Sequence, residues 1–546
     1  MRTGLSKDLI ARVLGGAPKY TLDELEAMFP PRNLPDGAMV TRFAPSPTGY
    51  MHIGGLYGAL IDCKLAQQSG GVFMLRIEDT DTKREVADAV QIINDSMSRF
   101  GLKYNNDEKY GPYYQSQRKD IYHSVAAYLL EQGLAYPCFL TAADMEDIRE
   151  KQKAAGFATG IYGEFARDRN LTEEEIVAHL DNGEIPSVRM FSGGNPEQRI
   201  FCKDAVRGSI GFPENNEDIV LIKSNDGLPT YHFAHLCDDH FMRTTHVIRG
   251  EEWLPSLPLH VQMFRMMNWR APLYIHTSTI DKIDEETGKQ RKLSKRKDPE
   301  ANVAFFLSAG WPVESVIEYL GNIAASGYEE AKMKGQVKSF WDYEMRAKKI
   351  PMSGALFDMK KLEWWAKEFI GSLPVPELVA RVVQWANEYG NNAQRAMCKE
   401  QSYLTSVLSI ERDNPKRVRK DFITWSQTLE NVAFFWDELF VPSAEYEFNS
   451  DVLRAFLETY NAADDKDTWW AKIVSVAEKC GVKNGDVAMN LRVALAGRTN
   501  TPDLYSIMSV MGAERVIKRI EKAIKCQSLN GRGYAQSRKM NMHQNC

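Results

Sequence analysis

The sequence predicts an α/β protein: a doubly wound parallel sheet that carries an insertion, followed by an all-α region. Three observations predict it. From about residue 39, apolar strand-like and helix-like segments alternate in the rhythm of βαβ units. Between about 140 and 225 that rhythm gives way to short charged helices, short strands and turns. Beyond about 300 the apolar spacing is predominantly helical.

Taken in order, residues 1–38 are a polar, proline-bearing N-terminal extension ending in "FPPRNLPDG". "MVTRFAP" reads as a buried strand, and "HIGGLYGALIDCKLAQQSGG" as a helix stopped by Gly70-Gly71. "VFMLRIEDTD" is a second strand, apolar until it meets acidic residues, and "REVADAVQIINDSMSRFGL" is an amphipathic helix. Residues 39–139 are thus the first half of the sheet domain. Residues 140–225, with "AADMEDIREKQKA" and "TEEEIVAHL" ahead of "VRMFSGG" and "IVLIKSNDGLPTY", are the insertion. Residues 226–300 return to the sheet through "RTTHVIRGEEW" and end in the charged loop "KQRKLSKRKD". A helical junction at 301–375, a helical region at 376–526 and a disordered tail at 527–546 complete the chain.

Composition sets limits. The 546 residues allow three or four domains at about 150 residues each. With 44% hydrophobic and 26% charged residues the chain is an ordinary globular one, and no run of about 18 apolar residues predicts a membrane span. A net charge of −5 excludes a polycation that binds nucleic acid indiscriminately, so any such surface is a local patch. The eight cysteines form no C-x-x-C pair, and the N-terminus lacks a secretory pattern; a reduced, cytoplasmic setting is expected.

Two stretches carry chemistry. In "VTRFAPSPTGYMHIGG" the prolines stiffen a strand exit, Thr48-Gly49 permits a sharp turn, and Gly54 and Gly55 remove side chains where a helix begins. A helix start favours anions, and His52 adds a donor, so a nucleotide phosphate suits the place although no Walker loop occurs. A turn that merely needs small residues fits equally well. In "KLSKRK", Ser294 flanked by lysines suits a mobile loop gripping a triphosphate, while a solvated basic face remains the alternative, above all for Arg296 and Lys297. Ligands of doubly wound sheets bind at the carboxyl ends of strands, where both the His-Gly-Gly turn and Glu78-Asp79-Thr80-Asp81 fall.

In this order, "RFAPSPTGYMHIGG", "LRIEDTD", "LPTYHFAHLCDDHFM", "HVIRGEEW" and "KLSKRK" resemble the signatures of class I aminoacyl-tRNA synthetases, and among them those of glutamyl-tRNA synthetases. "SGALFDMKKLEWW" and "NLRVALAGRTNTPDLYSIMSVMG" are similar to that family's helical junction and C-terminal tRNA domain, so the likeness spans roughly residues 36–520. The resemblance implies a Rossmann-like catalytic domain, an inserted acceptor-stem-binding domain, a helical stem-contact junction and an anticodon-binding region. It implies ATP-dependent activation of L-glutamate to glutamyl-adenylate, with Mg²⁺. The glutamyl group then passes to the 3′-terminal adenosine of tRNA(Glu), releasing AMP and pyrophosphate.

Residue by residue, the resemblance makes His52 and Lys295 catalytic. It places Arg42, Ser46, Glu78, Tyr231, His235 and Arg249 around glutamate: the arginines on the γ-carboxylate, Glu78 on the α-ammonium. It places Thr48, His52, Gly54, Glu252, Lys292 and Lys295 on ATP, and Asp81 and Arg84 near tRNA. Arg515, Lys518 and Arg519 are added as tRNA contacts because, with Lys522 and Lys525, they are spaced for a basic helical face, which solvation alone would also explain.

There are departures. Gly55 stands for the second histidine of His-Ile-Gly-His, and His235 stands where many glutamyl enzymes have Asn. Cys138 has no second cysteine nearby, so no zinc is expected in the insertion. His232, His235, Cys237 and His240 could share a helical face for a metal, but a helix packed beside the pocket is the plainer reading. Pro-Ser-Pro-Thr and Glu-Asp-Thr-Asp argue for glutamate over a glutaminyl enzyme, and the helical C-terminal region argues against an enzyme that modifies a tRNA nucleotide. Intact motifs argue against a silent paralogue. The chain is expected to be a monomer; whether tRNA(Gln) is also charged stays open.

Overall fold

The computed structural model describes residues 3–81, 86–294, 296–352, 355–413 and 418–525. Arg84, Lys295 and the tail at 527–546 lie outside the described residues. The described residues fall into two compact units, Met1–Phe305 with Ile317–Asp358, and Phe306–Val316 with Met359–Cys546.

In the first unit β1 (Val40–Phe43) and β2 (Val72–Leu75) pair in parallel, Val40 opposite Val72 and Phe43 opposite Leu75. The helix Ile53–Gln68 joins them and is buried on nearly every side, which is why its sequence is apolar without a polar stripe. β3 (Ala135–Cys138), β4 (Ser187–Met190) and β7 (Val220–Ile222) form an antiparallel sheet in the order β3-β4-β7. β5 (Arg199–Asp204) and β6 (Gly208–Pro213) make a hairpin. β8 (His246–Gly250) and β9 (Leu273–Thr277) pair in parallel, and the hairpin adds to them in the order β6-β5-β9-β8. Thr245, just ahead of β8, donates its N–H to the Val40 carbonyl at 2.9 Å and so sets β8 beside β1. β10 (Ile280–Ile283) and β11 (Gln290–Lys292) form the hairpin that leads into the charged loop, with β12 (Ala355–Leu356) parallel to β10.

Strand pairing divides this unit differently from sequence texture. β3 precedes the expected insertion yet pairs with β4 inside it, and the β5–β6 hairpin of the insertion extends the β8–β9 sheet. The N-terminal extension also packs more closely than its polar composition suggests. Its helices Lys7–Val13 and Leu22–Met28 bury Leu9, Ile10 and Leu25 in one core with Tyr122, Val125 and Phe233.

The second unit is helical, from Met359–Ser372 and Val375–Tyr389 to Leu504–Met511 and a last helix over 513–525. Its core includes Leu378, Leu404, Leu429, Leu453 and Leu491. The aromatic run Phe434-Phe435-Trp436 is buried in that core.

Candidate active site

The carboxyl ends of β1, β2, β8 and β9 surround a cleft of about 650 Å³. Of the residues expected there, Arg42, Ser46, His52, Gly54, Glu78, Tyr231, Arg249, Glu252 and Lys292 line it. Thr48 does not; it is exposed in the turn, its N–H on the Ser46 carbonyl at 2.8 Å. Asp81 is exposed and also outside the lining.

His52 caps the helix Ile53–Gln68: its Nδ1 accepts the Gly54 N–H at 3.0 Å. One helix-start donor is therefore satisfied by the histidine itself, and the hydrogen of the neutral ring must sit on Nε2. A Cβ on Gly54 would stand 3.2 Å from that Nδ1, so the absence of a side chain protects the cap.

A buried ion network sits beneath the cleft. Arg42 Nε donates to Asp239 Oδ1 at 3.1 Å, and Arg76 Nη1 donates to the same oxygen at 2.7 Å. Arg76 also donates to Glu78 Oε1 at 3.2 Å. Burial works against ionising Asp239, yet Arg42 and Arg76 hold its carboxyl well below the usual range. Burial raises the Glu78 carboxyl, with Arg76 and Arg42 opposing. Arg42 and Glu78 are thus linked indirectly, through Asp239 and Arg76.

Arg249 is held differently. Its Nε donates to His276 Nε2 at 3.0 Å, Nη1 lies 3.1 Å from His260 Nδ1, and Nη2 donates to the Trp253 carbonyl at 3.3 Å. Among the described residues no carboxylate lies within ion-pair distance of it. Tyr231 packs on Trp253 with ring centroids 4.4 Å apart.

His235 requires a correction. It is fully buried and does not line the cleft; its Nδ1 lies 2.7 Å from Asp239 and its Nε2 lies 2.9 Å from the Tyr274 hydroxyl. Its place on the inner face of the helix Tyr231–Phe241 makes it a support for the ion network rather than a substrate contact. Its helix neighbours go separate ways: His232 to His260, Cys237 into the core, and His240 to Glu26 while stacking on Trp269.

The charged loop is anchored at its base. Arg291 grips Asp298 through Nη1 at 2.6 Å and Nη2 at 2.9 Å, and the Ser294 N–H donates to Asp298 at 2.8 Å. Lys292 meets Glu252 at 3.3 Å at the mouth of the cleft, both half-exposed.

The basic face of the last helix also requires correction. Arg519 is only 3% exposed and donates to the carbonyls of Phe434 and Leu495, each at 2.6 Å, and to Asp437 at 2.7 Å. Arg515 likewise donates to the Phe435 carbonyl at 2.8 Å and bonds the Tyr403 hydroxyl. Both are fasteners of the helical unit; Lys518 alone of the three is exposed. Helical spacing grouped them, but partners on other helices decide which way each side chain turns.

Sequence reasoning missed Asp62, Trp253 and Ser278 in the lining, and Asp239, His260 and His276 behind it. The Asp238-Asp239 pair, the one acidic pair in the helix Tyr231–Phe241, was the one signal available.

Residues 38–364 match the family described as tRNA synthetases class I (E and Q), catalytic domain, and residues 377–524 match the family described as anticodon binding domain. A glutamate–tRNA ligase of Clostridium perfringens is 44% identical over 94% of this chain and 98% of its own. One from Acetivibrio thermocellus is 43% identical over 91% and 96%. Among solved structures, a glutamate tRNA ligase from Elizabethkingia meningosepticum in complex with its amino acid superposes with a TM-score of 0.74 at 28% identity, covering 89% of this chain and 99% of that one.

Proposed function

The chain belongs to the class I tRNA synthetases (E and Q) and ligates glutamate to tRNA, and we propose that the cleft between Arg42, Glu78 and Arg249 is where it does so, with tRNA(Glu) as acceptor. The observation that carries this reading is the pairing of opposite needs in one cleft. Arg249 presents a cation that no carboxylate compensates among the described residues, and Glu78 presents a carboxyl that burial pushes up against the pull of Arg76 and Arg42. A ligand with a distal carboxylate and an ammonium satisfies both.

In this reading the γ-carboxylate of glutamate lies on Arg249 and Arg42, and its ammonium favours the ionised form of Glu78. ATP enters as its Mg²⁺ complex along His52 and Gly54, with Lys292, Lys295 and Glu252 at the phosphate end. Mg²⁺ would be held chiefly by the phosphates of the nucleotide, as that ion ordinarily is. The α-carboxylate oxygen attacks the α-phosphorus as the bond to pyrophosphate breaks, giving glutamyl-adenylate. The 2′-hydroxyl of the terminal adenosine then attacks the acyl carbon, and AMP leaves. Neither step needs a protein nucleophile; positioning and fixed charge suffice. The insertion is assigned to the acceptor end of tRNA. The protein is assigned to the cytoplasm as a monomer; no helix among the described residues is long and apolar enough to cross a membrane.

The test is charging of labelled glutamate, with ATP and Mg²⁺, onto separately purified tRNA(Glu) and tRNA(Gln). Charging of tRNA(Glu) alone is expected. Charging of both would mark a relaxed acceptor choice, and charging of neither would sink the assignment of Arg42 and Arg249.

A further inference from the structure

The mode in which Arg249 is held leads further. Arginine is a donor only, so each nitrogen facing it must be a bare acceptor. His276 Nε2 accepts from Arg249 Nε at 3.0 Å, and its Nδ1 lies 2.7 Å from Asp204 Oδ2. Asp204 also takes the N–H groups of Val206 and Arg207, each at 2.8 Å, so it is an ionised acceptor and the His276 hydrogen must sit on Nδ1. Both ends of the ring therefore demand the same tautomer. His260 Nδ1 faces Arg249 Nη1 at 3.1 Å, which puts its hydrogen on Nε2, and Nε2 lies 2.9 Å from His232 Nδ1. The chain runs from Asp204 through His276, Arg249 and His260 to His232, with every donor matched to an acceptor.

Burial and the neighbouring guanidinium depress all three histidines, His232 to about 4, so they stay neutral around Arg249. The contrast with Arg42 is direct. Arg42 is oriented by the carboxylate of Asp239, which cancels much of its charge; Arg249 is oriented by neutral rings, which cancel none.

We propose that His260 and His276 are positioning residues for amino-acid selection, aiming Arg249 into the cleft while leaving its whole charge for the side-chain carboxylate of the substrate. This rests on the assignment of glutamate to the cleft and deepens it. An uncancelled guanidinium discriminates a carboxylate from the isosteric amide, whereas one paired with an acid discriminates much less.

The experiment is steady-state charging of tRNA(Glu) by the full chain with His260→Leu and His260→Asn. Asn offers an acceptor where Nδ1 stands; Leu fills the volume and offers none. For His260→Leu the glutamate KM is expected to rise about 10- to 100-fold, the loss of one bond to a charged group, while the KM values for ATP and tRNA move less than about threefold. For His260→Asn the glutamate KM should stay within about fivefold of wild type. A Leu variant with the wild-type glutamate KM would overturn the proposal. So would an Asn variant as impaired as Leu, because the acceptor would then not be what matters. Should the Leu protein not fold, His276→Gln against His276→Leu repeats the comparison, Gln supplying the acceptor at Nε2. A wild-type chain that charges no glutamate would instead remove the underlying assignment, and this proposal with it.

Discussion

Arg42 and Asp239 form a buried ion pair at 3.1 Å across 197 residues of sequence. The acid sits on the helix that opens with Tyr231, so one helix both supplies a wall of the cleft and aims a cation into it. Arg76 shares the same carboxylate oxygen, at 2.7 Å. The orientation of Arg42 is thus decided outside its own strand.

Asp239→Asn keeps the shape and removes the charge that compensates two buried guanidinium groups. Stability is expected to fall by about 3–5 kcal/mol, the usual cost of breaking a buried pair from one side. The wild-type carboxyl is held well below the ordinary range, so its contribution is present above that range and is lost as pH falls through the folded value. Urea unfolding at neutral pH and in acid checks both: the Asn protein should be weaker at pH 7 and lose less on acidification.

Which parts of this were legible follows from how far each contact reaches. His52, Gly54 and the strand around Arg42 are local, and their motif placed them at the end of β1 without tertiary information. Asp239, His260, His276 and Asp204 come from four separate elements and meet the site through contacts across 11 to 197 residues. No local pattern marks such partners. His235 shows the limit from the other side: the resemblance put it around glutamate, and burial against Tyr274 turned it from the cleft. Arg519 shows the same limit in the helical unit.

A Cβ on Gly250 would stand 2.0 Å from Glu252 Oε2, a clash with the far end of a flexible, half-exposed side chain. Gly250→Ala should therefore move Glu252 off Lys292 at a stability cost within about 1 kcal/mol. If Glu252 and Lys292 serve the nucleotide, the KM for ATP rises severalfold and more than that for glutamate. An unchanged ATP KM would take Glu252 out of the nucleotide site.

His52 has two tasks that substitution separates. His52→Ala removes the cap on Gly54 and should cost about 1 kcal/mol in stability as well as activity. His52→Asn supplies an acceptor in place of Nδ1 and loses only the Nε2–H side. Thermal melts should place Asn near wild type and Ala below it, while both slow charging at saturating glutamate.

Arg519→Ala and Lys518→Ala should part company. The first leaves the buried Phe434 and Leu495 carbonyls without their donor, while the partly exposed Asp437 keeps Arg515, so about 3 kcal/mol of stability is expected to go. The second removes an exposed charge and should leave stability within about 0.5 kcal/mol. Any loss of tRNA affinity on salt titration belongs to Lys518; a folded, stable Arg519→Ala protein with weakened tRNA binding would restore Arg519 as a contact.

The buried histidines set a second pH window. His232 and His235 are pushed down to about 4, both mainly by burial, with Arg249 adding for the first and Asp239 opposing for the second. The unfolded chain binds protons on these rings below about pH 6.5, and the folded chain does not until about 4. Unfolding therefore takes up protons in between, and stability, fully present above about 6.5, declines as pH falls toward 4. The size is of order 3 kcal/mol per ring. His232→Asn, at the partly exposed end of the chain of rings, should flatten the curve of stability against pH between 7 and 4.5 by the share of that one ring, at most about 1.4 kcal/mol per pH unit, while His235, His260 and His276 keep the rest of the slope. A wild-type curve already flat in that window would mean that these rings are as basic when folded as when unfolded, and the neutral surroundings assigned to Arg249 would fall.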